Sequence, residues 1–180
     1  MTSHSARPSN IPDASLLAAY AHAPEAGTVP NYCDCYSTRI DASISLSDFL
    51  YAFYTSPAFR IERKLLALAL RVSSADEDAR ALATGQSQRF SAWIVENRRD
   101  NEILLRFPAS GTGSWLMVRP YSDEGFDSTE LLFGSVVFPK TPDTPFGVIF
   151  HTLTGFHRFY SRLLLNSARK RLVLLQSSQS

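Results

Sequence analysis

Hydrophobic spacing divides this chain into a helical part, a strand-like part and a helical end. Across residues 146–175, apolar side chains at Ile149, Leu153, Phe156, Tyr160, Leu163 and Leu164 recur at steps of three and four, which places them on one stripe of a long helix. Such a stripe needs a surface to cover. The segments 89–96, 102–107, 114–119 and 129–138 supply it, because they are β-compatible runs separated by turn-like stretches at 97–101, 111–113 and 120–128. They predict an antiparallel meander, closed by Pro139, Pro142 and Pro145 ahead of the final helix.

Before the meander the period is helical. A first strand is expected at 32–40. Ser45 or Ser47 then caps a helix through Tyr54, with Leu46, Phe49, Leu50 and Phe53 at helical spacing. Pro57 ends that helix, since a proline ring cannot continue the turn. A second helix is expected from about Ala58 to Val72, with Phe59, Ile61, Leu65, Leu66, Ala69 and Leu70 apolar and Arg60, Arg63, Lys64 and Arg71 exposed. A third spans 75–83 and opens on Asp76, Glu77 and Asp78, the sign a helix N-terminus favours. Residues 1–30, punctuated by Pro8, Pro12, Pro24 and Pro30, read as a flexible lead-in with room for a short helix at 14–21 capped by Asp13. Residues 176–180 read as a disordered tail. The expected fold class is therefore α+β and helix-grip-like: one domain at 31–175, an antiparallel sheet covered by a long C-terminal helix, with two or three helices after the first strand.

Composition narrows the functional classes. A chain of 180 residues suits one domain with a sizeable core. Its formal net charge of +1 gives no general attraction to nucleic acid, which needs a basic face neutralising several phosphates. Charge is instead local: no acidic residue follows Asp143, while Arg158, Arg162, Arg169, Lys170 and Arg171 do. Either these cations complement the helix dipole as a solvated face, or Arg169, Lys170 and Arg171 give a weak contact with an anionic membrane. Cys33 and Cys35 are read as buried free thiols, which together with the lack of an apolar run of ~20 residues points to a cytoplasmic setting. No cofactor or metal is expected. His151 and His157 lie six apart and miss the helical metal pairing, and no phosphate-cradling or nucleophile-elbow spacing occurs.

The stretches Tyr32-Cys-Asp-Cys-Tyr36, Arg89-Phe90 with Trp93, Ser114-Trp-Leu-Met-Val118, Phe133-Gly-Ser135 and 156–162 resemble a family of uncharacterised bacterial proteins related to the DUF2867 group. The element order is similar to the helix-grip or START-like (SRPBCC) superfamily, which includes pollen-allergen-like proteins, polyketide cyclases and lipid-transfer domains. The resemblance spans roughly residues 31–172 and implies a ligand cavity between sheet and helix. A full helix-grip sheet has six strands after its first helices, whereas four are evident here.

The residues that fit such a cavity are Trp93 and Trp115 on the meander, Arg106 beside them, and His157 and Tyr160 on the final helix. Each indole brings apolar area and one N–H that requires a partner when buried. Arg106, like Arg89, either reaches into the cavity to meet an acidic group or faces water. His157 and Tyr160 are three apart and share a helical face. These residues are expected to bind a small apolar or amphipathic molecule without catalysis. The competing readings are a cyclase or dehydratase with His157 as acid or base and Arg106 stabilising negative charge, and a peripheral interaction module built on the basic C-terminal helix.

Overall fold

The computed structural model describes residues 5–21, 30–71, 74–123, 126–138 and 148–178; for 65–66, 69–70, 122–123, 126–127 and 148–157 the backbone alone is described. In chain order the elements are β1 (Arg7–Pro8), α1 (Ala18–Ala21), β2 (Tyr32–Ile40), α2 (Leu46–Tyr54), α3 (Pro57–Leu70), α4 (Asp76–Ala83), β3 (Arg89–Phe90), β4 (Trp93–Arg98), β5 (Glu102–Phe107), β6 (Thr112–Asp123), β7 (Phe126–Val137) and α5 (Val148–Ser177). The described strands form one antiparallel sheet in the order β1-β2-β7-β6-β5-β4-β3. The fold is α+β and helix-grip-like, with α5 laid across β2 and β7 and against α2.

Local chemistry sets the helix boundaries. Ser45, rather than Ser47, caps α2: its hydroxyl accepts from the Asp48 N–H at 3.1 Å and donates to the Asp48 carboxylate at 2.6 Å. Pro57 does not only stop α2. It opens α3 at the first helical position behind the N-cap Ser56, where a missing N–H costs nothing. The expected strand at 89–96 is two short strands, because Ser91 adopts φ 53° and turns the chain between Phe90 and Trp93. A bulge between Val95 and Asn97 then resets the alternation of β4 against β5.

Each face of the sheet carries its own core. Under α2 and α5 lie Phe49, Leu50, Phe53, Tyr54, Trp93, Ile103, Leu105, Leu116, Leu131, Phe133, Leu165 and Ala168. The opposite face holds Cys35, Leu104, Trp115, Leu132 and Val136, covered by Leu16 and Leu17 from the N-terminal segment. The expectation of a flexible lead-in is thus corrected for residues 5–21. Arg7 and Pro8 pair with Ser37 and Tyr36, and Leu17 is fully buried. Proline punctuation there marks an irregular path that still buries apolar side chains; residues 22–29 of the same expectation lie outside the described set. Gly134 makes the close approach possible, since a Cβ at this position would sit 2.6 Å from both Leu17 Cδ2 and the Asp34 carbonyl oxygen.

The helical stripe is also refined. Leu164, Leu165, Ala168 and Leu172 are buried, whereas Leu163 points outward and is 43% exposed. The side chains of Ile149, Leu153, Phe156 and His157 lie outside the described residues.

Candidate functional site

Strand register brings three cross-strand rows to the face beneath α5. Leu116, Phe133 and Tyr36 form the first, Ser114, Ser135 and Asp34 the second, and Thr112, Val137 and Tyr32 the third. Side chains of one row point the same way because successive residues alternate across a sheet. The first row packs into the core. The second is small and polar where a covered sheet face ordinarily carries branched apolar residues, so the space beneath the helix is left unfilled.

A cavity of about 310 Å³ opens there. Its floor is Thr112, Ser114, Ser135 and Val137, and its roof is Tyr160, Ser161 and Leu164 of α5. The inner wall is aromatic, made by Phe53, Tyr54, Phe59, Trp93 and Phe133. These rings support one another: Tyr54 meets Phe59 edge-to-face at 4.8 Å between centroids, and Trp93 lies 5.8 Å from Phe59 and 5.5 Å from Phe107. The wall is consequently stiff.

Polar groups border the cavity, and Asp34 supports its floor from behind. Asp34 accepts from the Ser135 hydroxyl at 2.5 Å and from the Ser135 N–H at 3.2 Å, which fixes the floor. Tyr160 donates its phenol hydrogen to the Glu62 carboxylate, tying α5 to α3 at the cavity rim. The Tyr54 and Ser161 hydroxyl oxygens are buried at the wall with no hydrogen-bond partner among the described residues. Burial, reinforced by the Glu62 charge, pushes the phenols of both Tyr54 and Tyr160 well above the ordinary tyrosine range. Both therefore remain protonated donors at neutral pH. Tyr32 is raised as well, first by burial and then by Asp34, with Arg158 acting against both.

Of the residues singled out from the sequence, Trp93 and Tyr160 share this cavity. Trp115 and Arg106 do not, and the expectation that they join it is corrected. The alternation of β5 and β6 sends Ile103, Leu105, Ser114 and Leu116 toward the helices, and Leu104, Arg106 and Trp115 the other way. Trp115 needs no ligand for its N–H, because Nε1 donates to Glu102 Oε2 at 2.7 Å. That carboxylate also accepts from the Leu16 N–H at 2.8 Å and pairs with Arg99 at 2.8 Å. Arg106 is engaged on the same outer face: it lies 3.2 Å from Glu96 and over the Phe138 ring at 4.2 Å. Glu96 in turn accepts from the Tyr20 phenol, which burial and this carboxylate push up to about 12. Arg106 and Glu102 thus anchor the N-terminal segment. His157 belongs to α5, but its side chain lies outside the described residues. Arg89 is exposed on the short strand β3.

Sequence reasoning missed Tyr54, Phe59, Glu62, Ser114, Ser135 and Ser161 as wall and floor. One signal was available. In the inward series Leu131, Phe133, Ser135 and Val137, a serine interrupts an otherwise apolar alternation, and Asp34 does the same between Tyr32 and Tyr36.

Both cysteines are free thiols, Cys33 half-buried and Cys35 buried. Burial, with the Asp34 charge adding to it, raises Cys33 to about 11 and Cys35 to about 12, which makes them weak nucleophiles. Among the described residues no cluster of three His, Cys, Asp or Glu side chains is placed to hold a metal ion, and no helix is long and apolar enough to cross a membrane. Compared with known proteins, the chain matches no family model, no curated protein and no solved structure.

Proposed function

We propose that this chain is a non-catalytic binding protein that holds a small apolar or amphipathic molecule between its sheet and α5. The observation that carries this reading is the row Ser114, Ser135 and Asp34 on a helix-covered sheet face, which leaves a cavity of about 310 Å³ opposite an aromatic wall. Cavities of roughly 300–1,000 Å³, mostly apolar with a few polar anchors, are the usual form of small-molecule sites. A START-like relationship fits this arrangement of sheet and helix and is part of the proposal. The reading is tested by titrating a neutral solvatochromic naphthalene into the full chain and into Ser114→Leu, which fills the floor. Saturable blue-shifted emission is expected from the parent chain, with affinity at least ~10-fold lower in the variant and a melting temperature equal or higher, since burying an added apolar side chain contributes about 1–2 kcal/mol. Emission that never saturates, or equal affinity in a folded Ser114→Leu, overturns it.

A second reading rests on the outward face of α5. Phe159, Leu163 and Leu174 are exposed there alongside Arg158, Arg162 and Lys170, and the helix contains no acidic residue. Lys170 is exposed, while Arg169 and Arg171 are half-buried. This mixture of cations and large apolar groups suits an anionic bilayer surface. Sedimentation with vesicles containing one-third anionic lipid, lost at high salt and lost in Lys170→Glu, is the expected result. Equal sedimentation with neutral vesicles, or none with either, overturns it.

A further inference from the structure

We propose that the outer flanks of α3 and α5 form one membrane-docking face, on which Ile61, Leu68, Phe159 and Leu163 enter an anionic bilayer between two rows of cations. The inference rests on the second reading above and adds α3 as an element whose apolar side chains enter the lipid.

The starting observation is an apolar flank on α3 that the fold does not use. Leu68 is 83% exposed and Ile61 63% exposed, although the opposite side of the same helix already buries Phe59 in the core. A surface helix ordinarily keeps its large apolar residues on the covered stripe and its polar residues outside.

Two bonds fix how this flank lies beside α5. The Ala58 N–H donates to the Ser167 hydroxyl at 3.2 Å, and the Tyr160 phenol donates to the Glu62 carboxylate. The two helices therefore run antiparallel, side by side. A helix turns about 100° per residue, so Ile61 stands about 60° around from Ala58 and Leu163 about 60° around from Tyr160. Both are exposed, and they border the same seam from its two sides. Farther out around α3 come Leu68 and then Lys64; farther out around α5 come Phe159, Arg162 and Arg158, all exposed. The result is an apolar strip with cations along both margins. The acidic groups described nearby are held off it: Glu62 is half-buried against Tyr160, and Asp76 pairs with Arg60 and Arg63 beyond Lys64.

Charge and shape decide the occupant. A second copy of this face would set cations against cations. A partner helix seats in a concave groove, whereas these side chains project from the outer flanks of two helices. A bilayer deforms around such projections, its anionic headgroups meeting Lys64, Arg158 and Arg162 while the acyl boundary takes the apolar strip.

The experiment sediments the full chain with vesicles of one-third phosphatidylserine in phosphatidylcholine at physiological salt, and repeats this with Leu68→Ser, Lys64→Glu and Leu68→Trp. These positions are exposed, so melting temperatures equal to the parent's are expected and serve as the folding control. Leu68→Ser should bind at least ~5-fold more weakly through the loss of one lipid-buried leucine. Lys64→Glu should also lose at least ~5-fold, since one cation near an anionic surface is worth about that factor. With lipid brominated in the upper acyl chain, Leu68→Trp emission should be quenched well beyond that of the parent, whose Trp93 and Trp115 are buried. Parent-like binding by Leu68→Ser and Lys64→Glu, or no added quenching in Leu68→Trp, overturns the inference, while parent sedimentation that is lost in Lys170→Glu leaves the reading of α5 standing. Equal binding to pure phosphatidylcholine vesicles, or none to either, overturns both. A dimer in sedimentation velocity that Leu68→Ser dissolves, without vesicle binding, assigns the strip to a second copy and overturns the inference as well.

Discussion

Glu102 offers the most direct measure of how the two faces of the sheet divide their roles. Its carboxylate is almost wholly buried and serves three donors: the Leu16 N–H, the Trp115 indole N–H and the Arg99 guanidinium. In Glu102→Leu the first two donors lose their acceptor while remaining buried. Each such loss costs about 1–3 kcal/mol, so the sum is about 3–5 kcal/mol, with the Arg99 pairing discounted because that side chain is half-exposed. Glu102→Gln keeps one carbonyl oxygen able to accept from both N–H groups and gives up only the charge, so its cost is about 1–2 kcal/mol. For a chain of this length each kcal/mol shifts the melting temperature by about 2–4 °C, which puts the Leu variant roughly 10 °C below the parent and the Gln variant roughly 4 °C below it. Calorimetry gives the shifts, and trypsin sensitivity of the N-terminal segment gives their location. Probe affinity for the cavity should be unchanged in folded Glu102→Gln, because the carboxylate lies on the other face. A Leu variant as stable as the parent would refute the assignment of Glu102 as the joint between segment and sheet. So would a Gln variant whose main defect is weak probe binding.

Two further expectations concern the outer face. Gly134→Ala places a methyl group 2.6 Å from a backbone oxygen and from Leu17, and because the backbone cannot swing aside the variant should lose about 3 kcal/mol by chemical denaturation; an unchanged midpoint would contradict the close approach. At pH 8 a thiol reagent should leave Cys35 unlabelled in the folded chain, label half-buried Cys33 more slowly than in denaturant, and label both in denaturant; a folded chain labelled at Cys35 would refute its burial. Both thiols and Tyr20 are raised in the folded state, so the folded chain holds protons that the unfolded chain has released. Their contribution to stability is therefore complete below about pH 9 and falls away as pH rises toward 11–12, which a denaturation series across that window should show.

Periodicity made the architecture legible. The 30-residue helix α5, the caps of α2 and α4 and the antiparallel meander all follow from local spacing and turn chemistry. The faces of the indoles did not follow. Whether Trp93 and Trp115 lie together depends on parity carried through two hairpins, and the bulge between Val95 and Asn97 alters the path along the way. A one-residue slip reverses every side chain of a strand, so spacing alone does not decide which face an indole takes. The N-terminal layer was hidden for another reason. Leu16 and Leu17 are two adjacent apolar residues in an irregular segment, and what buries them is Gly134, more than a hundred positions away.

The short outermost strands have a consequence for life in a crowded solution. A long unpaired strand edge is a template on which other chains can add, and sheet proteins avoid offering one. Here both margins end in strands of two residues, β1 on one side and β3 on the other. At the first margin Pro8 has no N–H to donate, and the pairing goes one step further, where the Ser9 N–H meets the Cys35 carbonyl at 2.9 Å. At the second, Ser91 turns the chain sharply after Phe90, so little straight backbone is left beside β3 for a foreign strand to follow. The same segment that roofs the outer face therefore also acts as a stopper against polymerisation through the sheet, and its removal would expose the long strand β2 along its outer side.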